Sequence, residues 1–171
     1  MGIESSKLMR QATKRLMAAC RLFFAIQIPG AVVSVIYRLP EDLTFDEAGA
    51  GDPDNVLGEI LSGQGAALVV PLPPLIALIV FMALALSRRW WGAIGTVGIC
   101  LLSLIVTFFM LMESVTREVF PPSVSEIPVA VMVALFFIVP LLMLLSGVLD
   151  LIARVRTRKS KPGLSERSSG A

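Results

Sequence analysis

Histidine is absent from this chain of 171 residues, which removes both the usual general base and the commonest transition-metal ligand. Cysteine is nearly absent too. Cys20 and Cys100 fall in or beside apolar stretches, not in the polar loops where an oxidising compartment would pair them, so no disulfide framework is expected. Charge is scarce as well, at 16% of residues against 56% apolar, and the mean hydropathy is +0.81. That leaves too little polar surface to cover a water-soluble globule. The net charge of +2 gives no reason to expect a nucleic-acid partner.

What the chain does contain is long apolar runs. A bilayer core is about 30 Å thick and a helix rises about 1.5 Å per residue, so roughly 20 mainly apolar residues make one crossing. Four segments meet that length: 16–38, 66–87, 92–112 and 128–152. They are continuously apolar rather than alternating, which favours helices over barrel strands. Only residues 88–91 separate the second run from the third, so these two must form a hairpin. The expected fold class is an all-α membrane protein with four transmembrane helices in an antiparallel bundle. The first run is read as a retained anchor, because no small-x-small cleavage pattern follows closely behind Tyr37 and Arg38.

The charges are sharply segregated, and lysine and arginine near span ends choose the cytoplasmic side. Thirteen of the cations lie before the first run or, as Arg21, at its inner end, in the 88–91 link or after the fourth run, and only Arg38 and Arg117 lie on the opposite side. Ten of the acids occupy the opposite segments, 39–65 and 113–127. Both termini are therefore expected on the cytoplasmic side of a plasma membrane, bacterial by its lack of disulfides and sorting motifs. Trp90 and Trp91, with Tyr37 at the other face, match aromatic belts at headgroup depth. The basic flanks, 1–15 and 153–171, are expected to attract anionic lipid, and the tail to be irregular.

The segment 39–65 has seven acids and no Lys or Arg, and is too short for a core of its own. A short helix is expected near 53–62, with Asp52 as its cap, Pro53 at its first position and Gly63 as its stop. Asp52 and Asp54 are spaced like the first ligands of a calcium loop, but Val56 and Leu57 stand where further ligands and a glycine belong, so a solvated acidic loop is the reading.

An ionisable group inside the bilayer would be the natural functional lead. Asp150 lies one turn before Arg154 near the end of the fourth run and reads as a local i,i+4 pair. Gln27 is the one strongly polar side chain at depth, and Pro29, Gly30 and Pro140 mark bends or hinges near it. In the third run Gly92, Thr96, Cys100, Ser103 and Thr107 recur at steps of four and three, a row of small residues suited to close helix packing. No nucleophile–base pair, carboxylate pair or metal cluster is legible, so no catalytic residue, cofactor or metal site is expected, and the chain is read as a non-enzyme. A non-catalytic accessory or assembly subunit, binding a membrane-protein partner or a second copy of itself, is the expected role. A small oligomeric transporter or channel is the alternative, and an intramembrane enzyme a distant third.

Overall fold

The computed structural model describes residues 2–39, 54–66, 68–87, 90–116 and 126–159. Five helices occupy them: α1 (Gly2–Ile36), α2 (Val56–Ser62), α3 (Leu72–Ala85), α4 (Trp90–Thr116) and α5 (Glu126–Lys159). The chain is an all-α, multi-pass membrane protein. Helices α1, α4 and α5 each contain a stretch long and apolar enough to cross a bilayer: Lys7–Ile36, Trp90–Phe109 and Ala130–Thr157.

The second apolar run departs from expectation. It is helical only over Leu72–Ala85, 14 residues, and 68–71 are not helical. The prolines are the reason. A helix continued upstream would need amide donors from Pro71, Pro73 and Pro74, which have none, whereas in a first turn those donors have no intrahelical partner to lose. Helix α3 is therefore about 21 Å long at ~1.5 Å per residue, short of the ~30 Å bilayer core.

Other boundaries also differ. Helix α4 takes in Trp90 and Trp91, expected in the link, and runs on to Thr116. Residues 153–159, expected in the irregular tail, continue α5. Helix α2 begins at Val56 with Asn55 as its cap residue, not at Pro53, and its final turn closes as Gly63 adopts φ 83 and donates to the Ile60 carbonyl while Gln64 donates to that of Glu59. Helix α1 ends on the same motif without a glycine: Arg38 has φ 52, and the amides of Arg38 and Leu39 return to the carbonyls of Val35 and Ser34. The expectations for Asp52, Pro53, Arg88, Arg89 and residues 160–171 lie outside the described residues.

On α1 and α5 the buried positions centre on one stripe, whereas α4 is buried on two sides, toward α5 and, at Gly95 and Gly98, toward α3. On α1 the central row of buried positions is Leu16, Cys20, Phe23, Gln27, Gly30 and Ser34, alternating steps of four and three, with Met17, Ala19 and Ile26 buried beside it. On α5 the row is Met132, Phe136, Val139, Met143, Gly147, Asp150 and Arg154, with Pro140 buried beside it. A 3.5-residue repeat of this kind is the seam of helices packed side by side at a shallow angle. Helix α1 packs chiefly on α5, α5 on α4, and α4 on α3. Phe136 is fully buried and meets Phe23 edge-on, 6.4 Å between ring centres. The outward faces carry Ile28, Val32, Leu104, Ile105, Ile138 and Leu145, all exposed, as hydrocarbon contact requires.

Candidate functional site

Most of the deeply placed polar side chains gather at two levels. The first joins four helices. Asp150 and Arg154 stand one turn apart on the buried stripe of α5, 0% and 8% exposed. Arg154 Nε donates to Asp150 Oδ2 at 2.6 Å, and Thr96 Oγ1 of α4 donates to the same oxygen at 2.8 Å. From α1, Thr13 Oγ1 donates to Asp150 Oδ1 at 2.6 Å. Each threonine also lies near a carbonyl of its own helix, Met9 at 3.0 Å and Gly92 at 2.9 Å. A hydroxyl has one proton to give, and a carboxylate beside a guanidinium is a stronger acceptor than an amide carbonyl, so the bonds to Asp150 are the favoured ones.

The other side of the arginine closes on α3. Its Nη2 donates to the Ala85 carbonyl at 2.6 Å and its Nη1 to that of Ser87 at 3.2 Å. These carbonyls end a helix, where no intrahelical donor reaches them and where the helix dipole favours a cation. Gly92 makes the room, since a methyl at that position would collide with the Ser87 carbonyl and the guanidinium. The pair is the local i,i+4 contact that its spacing suggests, and it is also the centre of a clasp holding one end of α1, α3, α4 and α5 together.

The second level lies about 20 Å away along α1, taking ~1.5 Å per residue from Thr13 to Gln27. Here the non-helical stretch preceding α3 crosses α1. Gln27 Oε1 accepts the Val70 amide at 2.9 Å while its Nε2 donates to the Phe23 carbonyl at 3.2 Å, and Ser34 Oγ accepts the Leu68 amide at 3.2 Å. Between them Gly30 lets the backbones touch, because a methyl there would run into the Leu68 carbonyl. Ala66 and Val69 exchange both backbone bonds, and the Leu72 amide returns to the Gly63 carbonyl, closing the loop. Non-helical backbone at such depth is tolerated only where its amides find partners within the protein. Gln27 and Ser34 are those partners.

No family model matches this chain, nor does any curated protein or solved structure.

The row on α4 lies against α5: Gly92 under Arg154, Thr96 on Asp150, and Cys100 against Gly147, where a methyl would meet its sulfur. Ser103 is buried and donates to the Ile99 carbonyl at 2.8 Å, and Thr107 is half-buried, donating to Ser103 in the same way. Pro29 is exposed and Pro140 buried, and α1 and α5 run through both. Gln27 and Gly30 belong to one contact, whereas Pro140 lines a small apolar hollow of about 10 Å³ with Ser103 and Met143. Thr13, Ser34, Asp150 and Arg154 are the residues that sequence reasoning undervalued. Thr13 and Ser34 lie on the same 3.5-residue repeat as Leu16 and Gln27, which was the available signal. Among the described residues no three His, Cys, Asp or Glu side chains gather as a metal site would require.

Proposed function

We propose that the chain is a non-catalytic accessory or assembly subunit of a plasma membrane, a four-span antiparallel bundle with both termini cytoplasmic. It acts by binding other membrane components through its apolar exterior. In this reading α3 and the non-helical stretch before it together make the fourth crossing, and the clasp lies at the cytoplasmic face, level with Trp90 and Trp91. The observation that carries it is the use made of the polar groups. Asp150, Arg154, Thr13, Thr96, Gln27 and Ser34 all bond to other parts of the chain, and among the described residues no buried side-chain N or O lacks a hydrogen-bond partner. Their geometry serves to hold helices in place, which suits a protein whose task is to present a fixed surface. Tagged chain extracted in mild detergent should bring down a membrane protein in stoichiometric amount. Recovery of a solitary monomer under conditions that preserve known complexes of the same membrane would overturn the proposal.

One observation favours a second reading, that of a small oligomeric transporter or channel. The interrupted second run beside Gln27 resembles the broken helices that transporters use to build binding sites at membrane depth. Solute flux in vesicles that is abolished by Gln27→Leu would support it, and flux unchanged by that substitution would remove the residue from any path.

A further inference from the structure

On the outward side of the clasp, α1 and α5 part to leave a groove of about 200 Å³. Arg15 and Gln11 of α1 line it from one side, and Leu149, Ile152, Arg156 and Thr157 of α5 from the other. Its wall is divided by chemistry. Leu149 and Ile152 are apolar and 43% exposed, while Arg15 and Arg156 are exposed cations. Arg156 also interacts with another group of the chain, and both guanidinium groups stay exposed at the groove.

Helical side chains lean toward the amino-terminal end of their own helix. Arg15 therefore leans back along α1 toward Leu8, and Arg156 leans back along α5 toward Ile152. Because residue 13 of α1 lies beside residue 150 of α5, these leanings bring the two guanidinium groups toward the same level of the groove. That level is set independently. Arg154, two residues from Arg156, reaches the end of α3 and crowds Gly92 at the start of α4, next to the exposed Trp90 and Trp91. Helix ends and exposed tryptophans mark headgroup depth. The groove thus offers cations at the height of lipid phosphates and, at Leu149 and Ile152, apolar side chains just beneath at the height of acyl chains, with Leu8 at its outer end and Ser146 at its inner end.

We propose that this groove is a binding site for an anionic phospholipid, with its phosphate between Arg15 and Arg156 and an acyl chain lying along Leu149 and Ile152. Charge complementarity and depth together select a lipid over a soluble phosphate compound, since the latter has no use for the apolar lower wall. The site is independent of whether the chain has a protein partner. It is also more specific than a diffuse attraction of basic termini to a charged surface, because only two of the many flanking cations line it.

Native mass spectrometry of the full-length chain tests this, using mixed micelles containing phosphatidylglycerol and phosphatidylcholine of identical acyl chains. Each cation near the surface contributes roughly fivefold to affinity for anionic lipid, so one bound phosphatidylglycerol should be preferred by about 10- to 30-fold. The preference should vanish in Arg15→Gln/Arg156→Gln and survive in Arg10→Gln/Lys14→Gln, which removes two exposed cations of α1 outside the groove. Ile152→Trp, which fills the lower wall and leaves the charges, should also abolish retention. The single variant Arg15→Gln changes only an exposed position and guards against misfolding of the others. Equal loss in both double variants would overturn the proposal in favour of a diffuse basic collar. So would the absence of any preference in the wild type, or displacement of the lipid by equimolar glycerol phosphate.

Discussion

Asp150 accepts three hydrogen bonds from three helices, and Arg154 extends the set to a fourth, so substitutions here carry unequal costs. Asp150→Ala leaves a guanidinium buried without its counter-ion and should destabilise the protein by about 3–5 kcal/mol. Thr13→Val and Thr96→Val each remove one hydroxyl bond between helices and should cost on the order of 0.6–1.7 kcal/mol. Arg154→Lys keeps the charge but cannot reach a carboxylate and two carbonyls with one compact ammonium, so a loss of roughly 1–3 kcal/mol is expected. Unfolding in mixed detergent micelles would rank these four, and equal losses at all of them would contradict the clasp. Arg38 gives the opposite prediction. It holds a left-handed conformation that costs a side chain about 1–2 kcal/mol, and its ion pair with Asp54 is largely solvent-exposed and contributes roughly 0–1 kcal/mol. Arg38→Gly should therefore raise stability by about 0.5–1 kcal/mol, and a clear loss by the same unfolding assay would show that the exposed pair matters more than the backbone.

At the scale of elements, the crossing of α1 by the stretch before α3 depends on one missing side chain. Gly30→Ala drives a methyl into the Leu68 carbonyl, an atom of backbone already tied to the turn, and should destabilise by about 1–3 kcal/mol. Gly98→Ala meets the half-buried ring of Phe81 as far in as its Cγ, a side chain and not backbone, and should cost about 1–2 kcal/mol. Amide exchange at Val70 would separate the two: it should accelerate in Gly30→Ala and stay unchanged in Gly98→Ala. The elements themselves were unevenly legible. Helices α1, α4 and α5 follow from apolar length alone, because in hydrocarbon a backbone must satisfy itself. The shortening of α3 was legible in principle from Pro71, Pro73 and Pro74, but in a run this rich in Leu, Ile and Val three prolines lower a hydropathy average only modestly, and the average does not register their missing donors. The clasp was harder to see. Asp150 and Arg154 announce a pair by their spacing, yet the partners from α1 and α4 come from 137 and 54 residues away, and threonine in an apolar run looks like any other small residue. In a membrane helix both faces are apolar, so periodicity gives little warning of which one is buried.

The molecule as a whole has polar bonds at two heights and packed apolar side chains between them, Phe23, Phe136, Val139 and Met143 among them. Its expected orientation places the clasp end in the cytoplasm and α2 outside. Lys7→Cys and Asn55→Cys, both at exposed positions, test it against a native background in which Cys20 and Cys100 are buried. A membrane-impermeant maleimide applied to intact cells should label Asn55→Cys and spare Lys7→Cys. Labelling of both, or of neither until the cells are broken, would refute a topology that puts these two ends on opposite sides.

The clasp also has a consequence for biosynthesis. Its threonines and carbonyls, from residue 13 to residue 96, leave the ribosome well before the carboxylate and guanidinium that gather them, so it cannot shut until the last helix has entered the membrane. Asp150 and Arg154 arrive already facing each other across a single turn, each shielding the other during insertion. Until then the earlier helices share the bilayer without their common fastening, and a chain halted before residue 150 would stay unlocked.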